Sequence, residues 1–446
     1  MEKTILNETV GLLSELIQNR CVNPPGNEMK SLRTIQRFLQ ERDIESQIFE
    51  SAPDRGNLVA RIPGTGDGPR LMFGPAHVDV VPVENADAWE EDPFSGVVKD
   101  GYVWGRGALD MLFIVAAQVQ AFVELHGEGF QPKGDLILLV VSDEEAGGAY
   151  GTGWMMKNHP EQVQADYAVT EAGGLSIAPG KIVFMNGEKG AAWKRVSFKG
   201  TSGHGSLPYG SDNAVVKASE AVIRISEYNP PPTTKYLSEL ANGLGLGTFQ
   251  RLMLTNLIFL PFTLSRLRSR EPGMAKAIHG LSRMTLSPNM VRGGVKVNVI
   301  PENAHIDVDI RTLPEQDDEY VITHLRKALG PLAEEATIEG PSGGGPASFG
   351  SISPASSEFV NAMEKAVRKE VPNGTLVPFI MPGASDCRFL RERGSDAYGF
   401  SLFDPETPLS HLEKLAHGAN ERISIKTVEL TQKVYYHLAR DFLGTG

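Results

Sequence analysis

Residues Val140 to Gly148 read VVSDEEAGG: two β-branched residues, an aspartate and two adjacent glutamates, then glycines. With LILL directly upstream, the apolar run Leu136 to Val141 has the length of a strand rather than a helix, and its unbroken apolar character suits a strand buried on both faces. Such a strand belongs to the middle of an α/β sheet. Its end therefore sets three carboxyl groups at the rim of a core, where something must balance their charge.

Working outward, 446 residues exceed the size at which a single core usually stops growing, so two domains are expected. A composition of 41% hydrophobic and 22% charged residues supplies a sizeable core and gives no case for disorder. The net charge of -12 argues against nucleic acid as a partner and, for the same reason, against anionic membranes. Two cysteines, Cys21 and Cys387, are too few for a disulfide framework and lack the spacing of a structural zinc site. The N-terminus shows no secretory signal, and Ile5, Leu12, Leu13, Leu16 and Ile17 are spaced as in an amphipathic helix, so a cytoplasmic protein is expected. The most apolar run, LMLTNLIFLPFTL from Leu252 to Leu264, contains a proline and is too short to span a bilayer. It reads as a buried helix or an interface segment.

Strand-like runs at Asn57 to Ile62, Leu71 to Phe73, Leu136 to Val141 and Tyr167 to Thr170, with a helical run from Phe113 to Leu125, predict an α/β layer with a mainly parallel central sheet. From about Lys189 the texture changes. WKRVSFKG, a helix near Asn213 to Ile225, a long insertion, KVNVIP, AHIDVDIRTL, a helix near Glu319 to Leu329 and ATIEG give the order strand-helix-strand-strand-helix-strand, a split βαβ domain of α+β type. The glycine-rich stretches near Gly187 to Gly190 and Pro341 to Gly350 mark its limits. The expected organisation is a discontinuous first domain, 1–189 and 342–446, interrupted by a second, 190–341.

The chemistry gathers where predicted strands end. His77 and Asp79 follow one strand, Glu144 and Glu145 a second and Glu171 a third, while the glycine-rich GYVWGRGALDM delivers Asp110 ahead of a helix starting near Met111. Ligands collect beyond the carboxyl ends of strands in open α/β sheets. Singly, His77 could be a satisfied polar residue, Asp110 a helix cap and the Glu-Glu pair a solvated turn. Together, carboxylates crowded in a pocket repel one another unless a cation compensates. Imidazole and oxygen donors without cysteine suit zinc, or less specifically manganese or cobalt.

These motifs resemble those of the co-catalytic zinc hydrolases that include glutamate carboxypeptidase, aminoacylase, dipeptidases and succinyl-diaminopimelate desuccinylase. The resemblance runs through HVDVVP, WGRGALDM, SDEEAGG and TEAGG, then GTSGHGSLPYGSDNAV and KVNVIPENAHIDVDIR, then MPGASDCRFLR and HGANERI. It implies two divalent metal ions, one held by His77, Asp110 and Glu171, the other by Asp110, Glu145 and His417, with Asp110 bridging. His417 is preferred over His411 because HGANERI carries the match. The resemblance makes Glu144 the general base, with Glu145 and Glu144 facing opposite ways if the chain there is extended. It makes Asp79 the group that orients the His77 ring, and His204 a donor to the oxyanion, in some relatives from a partner subunit.

The resemblance places Asn298 and Arg311 at polar positions that lie near the substrate in relatives, although Arg311 could equally be a surface strand residue, and Arg388 is a further candidate for a substrate carboxylate. Where many relatives continue after the bridging aspartate with a lysine-glycine step, this chain has Met111-Leu112-Phe113, which bears on the pocket lining rather than on the ligand. The implied function is hydrolysis of an amide bond in a dipeptide, a peptide C-terminus or an N-acyl amino acid through a metal-activated water. A catalytically degenerate metal-containing binding protein is the alternative. The insertion from about Pro230 to Gly280 would shape an acyl pocket or form a homodimer interface.

Overall fold

A computed structural model describes residues 2–340, 347–408 and 414–444. The expected boundary at 341 and the competing ligand His411 lie outside these residues. The chain forms two compact units, one of residues 1–186, 353–379 and 385–446, the other of residues 187–352 and 380–384.

In the first unit, neighbouring strands run in the order Ser46–Ala52, Arg55–Ile62, Leu136–Val141, Leu71–His77, Tyr167–Thr170, Asp396–Gly399 and Lys181–Glu188. The centre is parallel: Leu71–His77 pairs in parallel with Leu136–Val141 and with Tyr167–Thr170, which pairs in parallel with Asp396–Gly399. The flanking pairs are antiparallel, so the sheet is mixed. Every residue of LILLVV is buried, as an inner strand requires. The helix Phe113–Gly127, FIVAAQVQAFVELHG, is apolar on nearly all sides because it lies between the sheet and the helices Glu2–Gln18 and Ile425–Leu443. The stretch Ala108–Gly127 is long and apolar enough to cross a membrane, yet it is core here. Leu12, Leu13, Leu16 and Ile17 of the first helix are buried in the same cluster.

Register fixes what the sheet presents at its rim. His77 lies opposite Val141, and Phe73 opposite Val169, so the ends of three adjacent parallel strands come level. A bulge in Leu71–His77, between Phe73 and Ala76, inserts one residue against the Leu136–Val141 strand and resets which side His77 faces. Gly74 makes the bulge fit: its φ is 112°, and a Cβ there would stand 2.1 Å from the carbonyl oxygen of Leu139.

The second unit is an antiparallel sheet in the order Ala336–Glu339, Lys194–Lys199, Asn303–Thr312 and Thr285–Gly293. Along Asn303–Thr312 buried positions alternate with more open ones, and the buried set packs under the helices Ala214–Glu227 and Asp318–Leu329. Two sequence expectations change here. The second long strand is Thr285–Gly293, whereas KVNVIP contributes only Val299–Ile300, paired with Gly203–His204. The insertion folds as four helices, Lys235–Gly243, Thr248–Thr255, Leu260–Arg270 and Pro272–Ser282, and its apolar run is largely exposed rather than buried.

Replacing Gly74 by Ala should lower the apparent melting temperature, at a cost above about 1 kcal/mol, because the added methyl meets backbone. Replacing exposed Gly11, inside the first helix and with nothing within 4 Å of its Cβ position, should raise it slightly. Equal shifts for the two variants in a thermal melt would contradict the bulge assignment.

Candidate metal centre

His77 closes its strand with its backbone N–H donated to the Met111 sulfur at 3.2 Å. Its ring Nδ1 stands 3.0 Å from the backbone carbonyl of Asp79, which fixes the proton on Nδ1 and leaves Nε2 with a bare lone pair. That Nε2 is buried and has no hydrogen-bond partner, yet it lies 3.4 Å from Asp110 Oδ1 and 3.7 Å from Glu171 Oε2. A lone pair aimed at carboxylate oxygens is repulsive unless a cation or a proton sits between them.

The other oxygen of Asp110 faces a second imidazole. His417 Nε2 lies 3.1 Å from Asp110 Oδ2 and 3.4 Å from Glu145 Oε1, itself a buried atom without a partner. Donor atoms of His77, Asp110 and Glu145 fall within 4.8 Å of one another, as do those of His77, Glu144 and Glu171. Glu144 thus sits on the His77 and Glu171 side and Glu145 on the His417 side. They diverge for a different reason from strand alternation: Asp143 takes a φ of 73°, and Glu144–Ala146 forms a helical turn.

The electrostatics follow from this crowding. Burial works against a charged His77, but Asp110, Asp79 and Glu171 outweigh it and hold the imidazole well above its ordinary value. Asp110 and Glu145 push His417 up to about 10. Burial, with Asp110 adding to it, pushes Glu171 up to about 7, and burial followed by the Glu171 charge raises Glu144 well above the usual carboxylate range. Asp110 goes the other way, because His417 and His77 outweigh its burial. The group draws in positive charge by whatever route is open. Two imidazoles, three carboxylates of which Asp110 is shared, and two orphaned buried donor atoms are a donor set that divalent cations such as zinc fit.

Several residues hold this arrangement, and some were not singled out from sequence. The Asp79 carboxylate stands 3.6 Å from the His77 ring, beyond a hydrogen bond, and instead accepts from Asn23 at 2.8 Å and from the backbone N–H groups of Glu144 and Glu145, each at 3.2 Å. Asp143 accepts from Arg55, Asn23 and the Tyr150 backbone, and Arg55 is shared with buried Glu28. Fully buried Glu421 accepts from the backbone N–H groups of Leu109 at 2.8 Å and Asp110 at 3.2 Å, and from Arg106 at 2.5 Å. Arg106 also donates to the carbonyl of His417 at 3.0 Å. The strand Arg422–Ser424 pairs with Tyr102–Trp104, bringing HGANERI beside WGRGALDM. Glu421 and Arg106 lie inside those two motifs, which was the available signal.

Arg388, expected near a substrate carboxylate, is buried and donates to the carbonyls of Ser385 and Gly147, bracing the Glu144 turn. The helix expected near Met111 begins at Phe113, and Met111, Leu112 and Phe113 are all buried.

His204, Asn298 and Arg311 belong to the second unit. His204 is exposed, and its Nδ1 accepts the Ser206 backbone N–H at 3.2 Å, which leaves Nε2 protonated and free to donate. Asn298 is exposed, its carbonyl accepting from the Gly205 N–H at 2.9 Å. Arg311 is paired with Asp309 on its own strand at 2.7 Å.

The chain is similar to known proteins over most of its length. The chain is 27% identical over 388 residues, 84% of its length and 71% of the relative's, to a probable carboxypeptidase S-like 2 of Dictyostelium discoideum. It is 26% identical over 436 residues, 92% of its length and 81% of the relative's, to an N-fatty-acyl-amino acid synthase/hydrolase of Danio rerio. Its fold matches the crystal structure of an M20 family metallo-carboxypeptidase from Sulfolobus solfataricus with a TM-score of 0.70 at 18% identity, covering 98% of this chain and 99% of that one. The pattern of peptidase family M20/M25/M40 matches residues 75–441, and the chain belongs to that family of metal-dependent peptidases and amidohydrolases.

Proposed function

We propose that this chain holds two divalent cations, zinc in the first instance, and cleaves an amide bond in a peptide C-terminus, a dipeptide or an N-acyl amino acid. The observation that carries this reading is the division of Asp110: one oxygen faces His77 with Glu171, the other faces His417 with Glu145. When bound, such cations would lower the pKa of a water and polarise a carbonyl oxygen. Glu144, left over from the two sets, takes a proton from the attacking water and returns it to the departing amine. His204, with its proton on Nε2, is assigned as a donor to the oxyanion. Glu421 and Arg106 keep the Asp110 and His417 loops in register.

The names of the two relatives above favour substrates whose departing amine is an amino acid with a free carboxylate. Asn298 and Arg311 are assigned to that end, Arg311 having to exchange Asp309 for the substrate. The strand Thr285–Gly293, paired on one side only among the described residues and exposing Met290 and Val291, is assigned as the edge through which a homodimer forms in the cytoplasm.

Glu144→Gln should keep its metal content and lose at least about a hundredfold in turnover on a panel of dipeptides and N-acyl amino acids read by mass spectrometry. Unchanged hydrolysis would remove the general-base role, and wild-type protein that cleaves no amide when zinc-loaded would favour the binding-protein alternative. Glu421→Gln should weaken zinc binding about 10- to 100-fold in competition with a chelator, since Gln cannot match the charge that Arg106 and two N–H groups expect. Wild-type affinity in that variant would show that the two loops hold their places without it.

A further inference from the structure

The chain-wide charge of -12, from which no membrane partner was expected, averages over one segment of opposite character in the second unit. Residues 240–270 contain Arg251, Arg266, Arg268 and Arg270 and no aspartate or glutamate, with Glu239 and Glu271 bounding the segment. All four arginines are exposed, and none makes an ion pair among the described residues. The same segment exposes Phe249, Leu252, Leu257, Ile258, Phe259 and Phe262, with Ile258 81% and Phe249 73% accessible.

These residues occupy the helix Thr248–Thr255, the turn after it and the start of Leu260–Arg270. Leu254 and Leu260 are turned inward and buried, so the helices already have their packed side. What remains outside is a protruding apolar turn, and single exposed apolar residues are ordinary where six so close together are not. On Leu260–Arg270, Phe262, Arg266 and Arg270 follow at four-residue intervals and share one side of the helix.

We propose that this face docks on an anionic lipid bilayer, with Ile258, Phe259 and Phe262 entering the acyl boundary and the arginines meeting acidic headgroups. A second copy of the chain fits less well, because a two-fold contact would set the same arginines against one another, and the four in each copy outnumber the two bounding glutamates, Glu239 and Glu271. A bilayer with acidic headgroups answers both the apolar turn and its cationic rim. The inference stands on the second unit alone and is independent of the hydrolytic reading.

The test is co-sedimentation of the full chain with vesicles of phosphatidylcholine and with vesicles containing about one third phosphatidylserine. Binding should be confined to the anionic vesicles and weaken as salt is raised. The triple variant Arg266→Ser, Arg268→Ser, Arg270→Ser should bind about 100-fold more weakly. The double variant Ile258→Ser, Phe262→Ser should also lose binding while keeping the wild-type melting temperature. Absence of pelleting with anionic vesicles, or binding that survives both variants, would overturn the proposal. So would a dimer in sedimentation velocity that the double variant dissociates without any vesicle binding, which would give the face to a second copy.

Discussion

Two imidazoles share the oxygens of one aspartate, with the carboxylates of Glu144, Glu145 and Glu171 beside them, in a site where His77 is buried while Asp110 and His417 stay partly open to water. Like charges at such distances repel even where water partly screens them, so the cluster is unfavourable until positive charge enters it. That need explains the opposed behaviour of its members. Glu171 and Glu144 are driven toward the protonated form and His417 toward the charged form, while Asp110, between both rings, stays ionised. A scaffold that tolerates this must be held rigidly, because any relaxation would let the carboxylates separate.

The rigidity comes from acceptors that bind backbone rather than ligand. Asp79 takes the N–H groups of Glu144 and Glu145, Glu421 takes those of Leu109 and Asp110, and each is itself fixed by a buried donor, Asn23 in one case and Arg106 in the other. Against its burial, His77 and such donors hold Asp79 below its ordinary range, whereas at Glu421 burial outweighs Arg106 and the N–H groups and pushes the carboxyl up to about 7. Buried acidic residues therefore divide into two kinds here: those satisfied by the chain, and those such as Glu145 whose oxygen is left bare.

That division sets the limit of what could be read from sequence. The strand ends were legible because fully apolar runs such as LILLVV announce inner strands, and His77, Glu144, Glu145 and Glu171 follow those runs directly. Glu421 and Arg106 were not, since acceptance of a backbone N–H leaves no periodic trace and their partners are some three hundred residues away in the chain. The strand Thr285–Gly293 was missed for a different reason: it carries Pro288, Asn289 and two glycines' worth of irregular neighbourhood, while the more regular KVNVIP sits on an exposed turn. The run around Leu257 to Phe262 misled most, because apolar sequence alone cannot say whether a helix has a partner on that side.

The turn after LILLVV also shows why the two glutamates must be adjacent. A strand continuing through both would send one of them to the opposite face of the sheet, away from the centre. Asp143 prevents this by entering the left-handed region at a φ of 73°, a conformation that aspartate tolerates better than most residues, held there by Arg55, Asn23 and the Tyr150 N–H. The chain then turns in place, so both N–H groups point at Asp79 while the carboxylates fan apart, Glu144 toward His77 and Glu171, Glu145 toward His417. Asp143 contributes no donor atom to the centre. Its charge is balanced by Arg55, and its backbone conformation is what lets neighbours in sequence serve different halves of one site.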